Sequence, residues 1–129
     1  MKHKLLIPFL LLVFGYSYSQ GDCSKFRTGK FQNNDEGIIK AKIQRNDSIQ
    51  TEQYGDKEVT LKITWIDDCS YRLKFLEGNE AFWKSRPKDM PTHDLIVKII
   101  KINGNTYTQE SKLDTENDFI YTSEITKIE

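Results

Sequence analysis

Few side chains in this chain combine a reactive type with a spacing that could use it. After residue 19 the single histidine is His93, between Thr92 and Asp94. A general base needs a nucleophile held beside it, and no G-x-S-x-G elbow accompanies this histidine. It reads as a surface or turn residue. Asp67-Asp68 offers two adjacent carboxylates to a hard cation. Between two β-patterned arms, however, neighbouring aspartates are expected to form a turn and bond nearby backbone. Asp114-x-Glu116-x-Asp118 has the one-three-five spacing of a calcium loop. Phe119 stands where that loop needs glycine and Ile125 where it needs a bidentate acid, so a solvated turn is expected instead. The sequence predicts no catalytic residue, no metal site and no cofactor, and the chain is read as a non-enzyme.

Cysteine chemistry depends on compartment. Lys2 and Lys4 precede an apolar run over residues 5–14, and Ser17-Tyr18-Ser19 gives a small-x-small site before Gln20. This is the pattern of a secretory signal peptide and is too short for a stable membrane span. Gln20, Gly21 and Asp22 do not resemble a lipobox before Cys23, so cleavage near Gln20 is expected rather than lipidation. The reading is a leader over residues 1–19 and one domain over residues 20–129, periplasmic or secreted. The leader carries two lysines and no acid, leaving 17 basic and 19 acidic side chains and a net charge of −2. Such a domain has no electrostatic footprint for nucleic acid, and no second stretch of membrane-spanning length follows. Cys23 and Cys69 both enter an oxidising compartment, where one disulfide is expected. In the chain-entropy account, closing a loop of about 47 residues contributes roughly 4 kcal/mol. With one histidine, the pair does not complete a zinc shell.

Aromatic side chains carry the binding signal. Phe82 and Trp83 fall in an irregular stretch beside Lys84 and Arg86. One expectation is a lid over residues 78–92, with aromatics covering an apolar group and Arg86 holding an anionic one, above barrel walls that include Trp65 and Tyr71. The competing expectation is that Phe82 and Trp83 plug one end of the fold. Asn46-Asp47-Ser48 is formally a glycosylation sequon.

The elements that would position these groups are strands. Over residues 58–76, Val59, Leu61, Ile63 and Trp65 alternate with polar residues, then Cys69, Tyr71, Leu73 and Phe75 do the same. Period two on both arms predicts a hairpin with one face in a core. A two-residue turn at 67–68 would put the apolar sets on opposite faces. A three-residue loop or a bulge restores the match, pairing Trp65 with Cys69 and Ile63 with Tyr71. Residues 25–33 read as a first strand with a kink at Gly29. Ile39, Ala41 and Ile43 mark a second, and residues 48–54 a third, polar strand near an edge. Asn79 is positioned to cap one short helical turn ending at Ser85. Residues 95–102 are expected to face inward at Leu95, Val97 and Ile99. Asn103-Gly104 signals a hairpin into Tyr107, and Phe119, Tyr121 and Ile125 mark the last strand. About eight strands joined by short turns predict an all-β fold, a single antiparallel up-and-down barrel or barrel-like sandwich. Eight strands enclose room for side chains or one small ligand.

Cys23-Ser-Lys-Phe-Arg-Thr-Gly-Lys-Phe31, with Ile63-Thr-Trp-Ile-Asp-Asp-Cys-Ser-Tyr71 and Lys101-Ile-Asn-Gly-Asn-Thr-Tyr107, resembles a family of small exported β proteins of Bacteroidota that has no established activity. The resemblance implies compartment and fold. Within that group, Asp47-Ser48-Ile49 is similar to an Asp-Ser/Thr-aliphatic motif used for O-glycosylation, which marks Ser48. Phe26 with Gly29-Lys30-Phe31 resembles the Gly-x-Trp opening of lipocalin-type barrels, phenylalanine replacing tryptophan. Those barrels set a late arginine against the tryptophan, whereas this chain has no arginine after Arg86. The leading functional expectation is an exported protein that binds a small apolar or amphipathic ligand inside the barrel. The alternative is a cell-envelope structural or protein-interaction module with a filled core and no ligand.

Overall fold

Alternating burial along eight strands closes a sheet on itself. A computed structural model describes residues 22–34, 41–115 and 119–129. Its strands are β1 (Gly29–Asn33), β2 (Lys42–Arg45), β3 (Ile49–Tyr54), β4 (Lys57–Asp67), β5 (Ser70–Gly78), β6 (Leu95–Asn103), β7 (Thr106–Leu113) and β8 (Tyr121–Lys127). Each pairs antiparallel with its neighbour in sequence, and β8 pairs back onto β1 through Phe31 and Lys127, so the meander is a closed barrel. Of the two architectures expected, barrel and sandwich, the barrel is formed.

The central hairpin needed an irregularity, and it has one. Trp65 pairs with Tyr71 and Ile63 with Leu73, with a register shift between Trp65 and Asp67. The bulged Ile66 points into solvent. A tight turn at Asp68-Cys69 plus one bulged residue corrects parity as a three-residue loop would, which moves the partners two places from the expected pairs. Asp67 Oδ1 accepts from the Cys69 backbone N–H at 2.9 Å, the turn-forming role expected of an aspartate here.

Four local expectations are corrected. Residues 24–26 form a 3-10 turn rather than the start of β1. Cys23 is bonded to Cys69, with Cα atoms 5.3 Å apart, and this anchor folds Phe26 inward across the barrel end. Gly29, at φ 128°, then lets the chain turn into β1 in a conformation that other residues resist. Second, β3 is not near an edge, because it is fully paired between β2 and β4. Gln50 and Glu52 face the interior, and Thr51 and Gln53 the outer side. Third, Asn103 pairs with Thr106, so the β6–β7 turn centres on Gly104-Asn105, one residue beyond Asn103-Gly104. Fourth, Phe119 and Tyr121 are exposed and stack edge-on against each other instead of entering the core; only Ile125 of that set is buried. Ile39 and the turn after Asn34 lie outside the described residues.

The core holds Phe26, Phe31, Ile43, Ile63, Tyr71, Leu73, Val97, Ile99 and Tyr107. Val97 and Ile99 face inward as expected, with Leu95 half-buried at the rim. One end of the barrel is closed by the disulfide and Phe26. The other, where β3–β4, β5–β6 and β7–β8 connect, is open.

Candidate binding site at the open end

The floor of the interior is built around Arg45. It ends β2 on the inward parity and is almost fully buried. Its Nε donates to Gln50 Oε1 at 2.8 Å and Nη1 to the Phe26 carbonyl at 2.7 Å. Nη2 donates to the Tyr71 and Tyr107 hydroxyls at 3.3 and 3.1 Å. Those hydroxyls lie 3.0 Å apart, and Tyr71 donates to Gln109 Oε1 at 3.0 Å. The guanidinium also lies over the rings of Phe31 and Tyr71, at 4.4 and 4.9 Å. Burial opposes the Arg45 charge, but the two tyrosine oxygens outweigh it and raise its pKa above the ordinary arginine value. Burial, then Tyr107, pushes the Tyr71 hydroxyl well above the usual phenol range. A buried cation this well satisfied fixes one geometry. The floor is filled.

The lipocalin-like pattern lacked its late arginine. An arginine nevertheless lies against Phe31, supplied by β2 from the other neighbour of β1.

Above the floor the interior opens. A cleft of about 610 Å³ lies between the rim and the segment after β5, walled by Tyr54, Val59, Leu61, Leu73, Phe75 and Leu95. Helix α1 (Glu80–Lys84) covers one side. Asn79 caps it as expected, accepting from the Phe82 N–H at 3.0 Å. Phe82 is buried in the wall, stacked on Phe75 with ring centres 5.4 Å apart. A second chamber of about 670 Å³, lined by Arg45, Gln50, Tyr107, Gln109 and Ser111 among others, meets the cleft at Glu52, Leu73 and Leu95.

The expected site residues are thus separated. Phe82 and Arg86 line the cleft. Arg86 donates through Nη2 to the Pro91 carbonyl at 3.1 Å and lies 5.1 Å over the Phe82 ring, while its Nε is buried without a partner among the described residues. Trp83 is 48% exposed, edge-on to Phe75. Tyr71 belongs to the floor. Trp65 packs on Tyr71 and under Arg27, away from the cleft, with its indole N–H buried and unpaired among the described residues. His93 stands exposed at the lip. Ser48 is exposed in the β2–β3 turn, where Asn46 Oδ1 accepts from the Ser48 and Ile49 N–H groups.

Sequence reasoning missed Arg45, Gln50, Glu52 and Gln109. The available signal was parity: Gln50, Glu52 and Tyr54 share one side of β3, and nothing apolar on the other side competes after Ile49. Burial pushes the Glu52 carboxyl above the usual carboxylate range, partly offset by the Gln50 hydrogen bond and the Arg45 charge. Among the described residues no group of three or more His, Cys, Asp or Glu comes together to hold a metal. Asp114 instead meets Arg72 at 2.6 Å; Glu116 and Asp118 lie outside the described residues. Among the described residues no helix is long and apolar enough to cross a membrane. None of the family models, curated proteins or solved structures compared with the chain matches it.

Proposed function

We propose that this is an exported, non-enzymatic cell-envelope module whose barrel floor is filled and structural and whose contacts are made at the open rim. The observation that carries this reading is the Arg45 network, which occupies the floor with groups that satisfy one another. The rim supports the second half of the reading. Trp83, Met90, Leu113, Phe119, Ile120 and Tyr121 are exposed around it, and apolar groups gathered at one rim are what a partner would cover. Export, and membership of the exported Bacteroidota family, are supported by the leader pattern and by the residues that carry the resemblance.

A second reading has its own observation. The cleft is within the size range of small-molecule sites, and its walls are largely apolar. It supports a small apolar or amphipathic ligand held at the mouth beside Phe82 and Arg86, with residues 78–92 as a gate. Native mass spectrometry of protein recovered from its own envelope fraction separates the two. The first reading expects the mass of a chain cleaved near Gln20 with one disulfide and no adduct. A retained small molecule supports the second, and an intact leader contradicts export. Ser48 modification would appear in the same spectrum.

A further inference from the structure

We propose that the open-end cleft takes a primary amine carried on an apolar chain, with its ammonium seated on Glu52. The inference rests on the second reading above and names the ligand class of that site. Strand β3 turns Gln50, Glu52 and Tyr54 toward the interior. Gln50 is consumed, accepting from Arg45 Nε and donating to Glu52 Oε2 at 2.6 Å. Among the described residues that is the one hydrogen bond to the Glu52 carboxylate. Glu52 borders both the cleft and the inner chamber, as Leu73 and Leu95 do.

A carboxylate only accepts hydrogen bonds, and one partly withdrawn from water and left short of donors is costly. The neighbouring cation cannot turn to serve it, because Arg45 is held by Gln50, the Phe26 carbonyl and both tyrosines. Arg86 is held at the lip by Pro91 and Phe82. An ammonium entering from solvent supplies the missing donor in charge-assisted form, the strongest available. It also reverses the upward push that burial gives this carboxyl. The apolar chain then lies along Leu61, Phe75 and Phe82. An anionic head at the same depth would face Glu52 and be repelled.

Titration calorimetry of the disulfide-bonded protein at pH 7.5 with decylamine, decanol and decanoate tests this. Decylamine is expected to bind about tenfold or more tighter than decanol, as one charge-assisted hydrogen bond provides. Glu52→Gln should erase that preference, and Glu52→Asp, which keeps the charge, should retain part of it. If no probe binds, the small-ligand reading falls and the inference with it. If decanol or decanoate binds as well as decylamine, or if the preference survives Glu52→Gln, the cleft stands as a site and the assignment to Glu52 is overturned. Should the amide variant fail to fold, Glu52→Asp decides alone: a decylamine preference smaller than the parent's is expected, and one as large as the parent's overturns the inference.

Discussion

The Arg45 network at the closed end of this barrel and the groups lining the cleft at the open end differ in how their polar atoms are met. At the closed end Arg45 is buried, yet its donors reach Gln50, Tyr71, Tyr107 and the Phe26 carbonyl, and a disulfide pins the cover in place. At the open end, among the described residues, Glu52 accepts one hydrogen bond and Arg86 Nε makes none, and the apolar wall ends in a short helix. Burial alone does not distinguish the Arg45 network from the groups at the cleft; satisfaction does, although the Trp65 indole N–H at the closed end is also buried without a partner among the described residues. A saturated network resists rearrangement and specifies the fold, whereas unsatisfied groups beside a cleft are what a ligand or partner can complete.

Breaking the closed end should have the largest effect. Arg45→Met removes the donor to four acceptors and leaves Glu52 without its counter-charge. The expected loss is about 3–5 kcal/mol, the cost of removing one member of a buried polar network, read as a lowered midpoint in chemical denaturation. A loss below about 1 kcal/mol would show a surface-like site.

Gly78→Ala acts at the open end. An added Cβ would run into the Phe82 ring, pushing the ring off Phe75. Overpacking of this kind costs about 1–3 kcal/mol. The decisive readout is local: fluorescence of Trp83, which packs against both rings, changes while Trp65 is undisturbed. Comparison with a Trp83→Phe background separates the two indoles.

The smallest effect has a defined sign with pH. The folded-state pKa of Glu52 is raised, so the folded protein holds this proton more tightly than the unfolded chain does. Stability is therefore undiminished below the ordinary carboxylate range and falls as pH rises through the window up to the raised value. Glu52→Gln removes that loss. Its thermal midpoint should match the parent near pH 3 and exceed it at pH 7. A variant less stable at pH 7 would mean that the charge of Glu52 supports Arg45 more than its burial costs.

How much of this was legible in the chain follows the same division. The strands, the cysteine pair, the Asn79 cap and the inward face of β6 were readable because apolar alternation and capping are local signals. The bulge was readable from parity, although not its position, since a loop and a bulge correct the register equally. Arg45 was not readable. Lys40, Lys42 and Gln44 alternate with Ile39, Ala41 and Ile43, and a guanidinium at the next inward place breaks the pattern only once Gln50, Tyr71 and Tyr107 are brought around it. β3 was misplaced at an edge for the same reason: polar residues normally face water, and here they face a lumen with a cation in it. Phe119 and Tyr121 erred the other way, being aromatic but placed where β8 begins at the rim. Of the expected ligand set, Phe82 and Arg86 share the cleft, while Tyr71 and Trp65 belong to the interior below and beside it.

Residue-resolved amide hydrogen exchange tests the division of the barrel most directly. Local opening should govern α1 and the rim residues Tyr54, Leu95 and Leu113, while the amides of Phe31, Ile43, Tyr71, Val97 and Tyr107 exchange only through global unfolding. Uniform protection from floor to rim, or early exchange at Tyr71 and Tyr107, would contradict a filled structural floor beneath a working mouth.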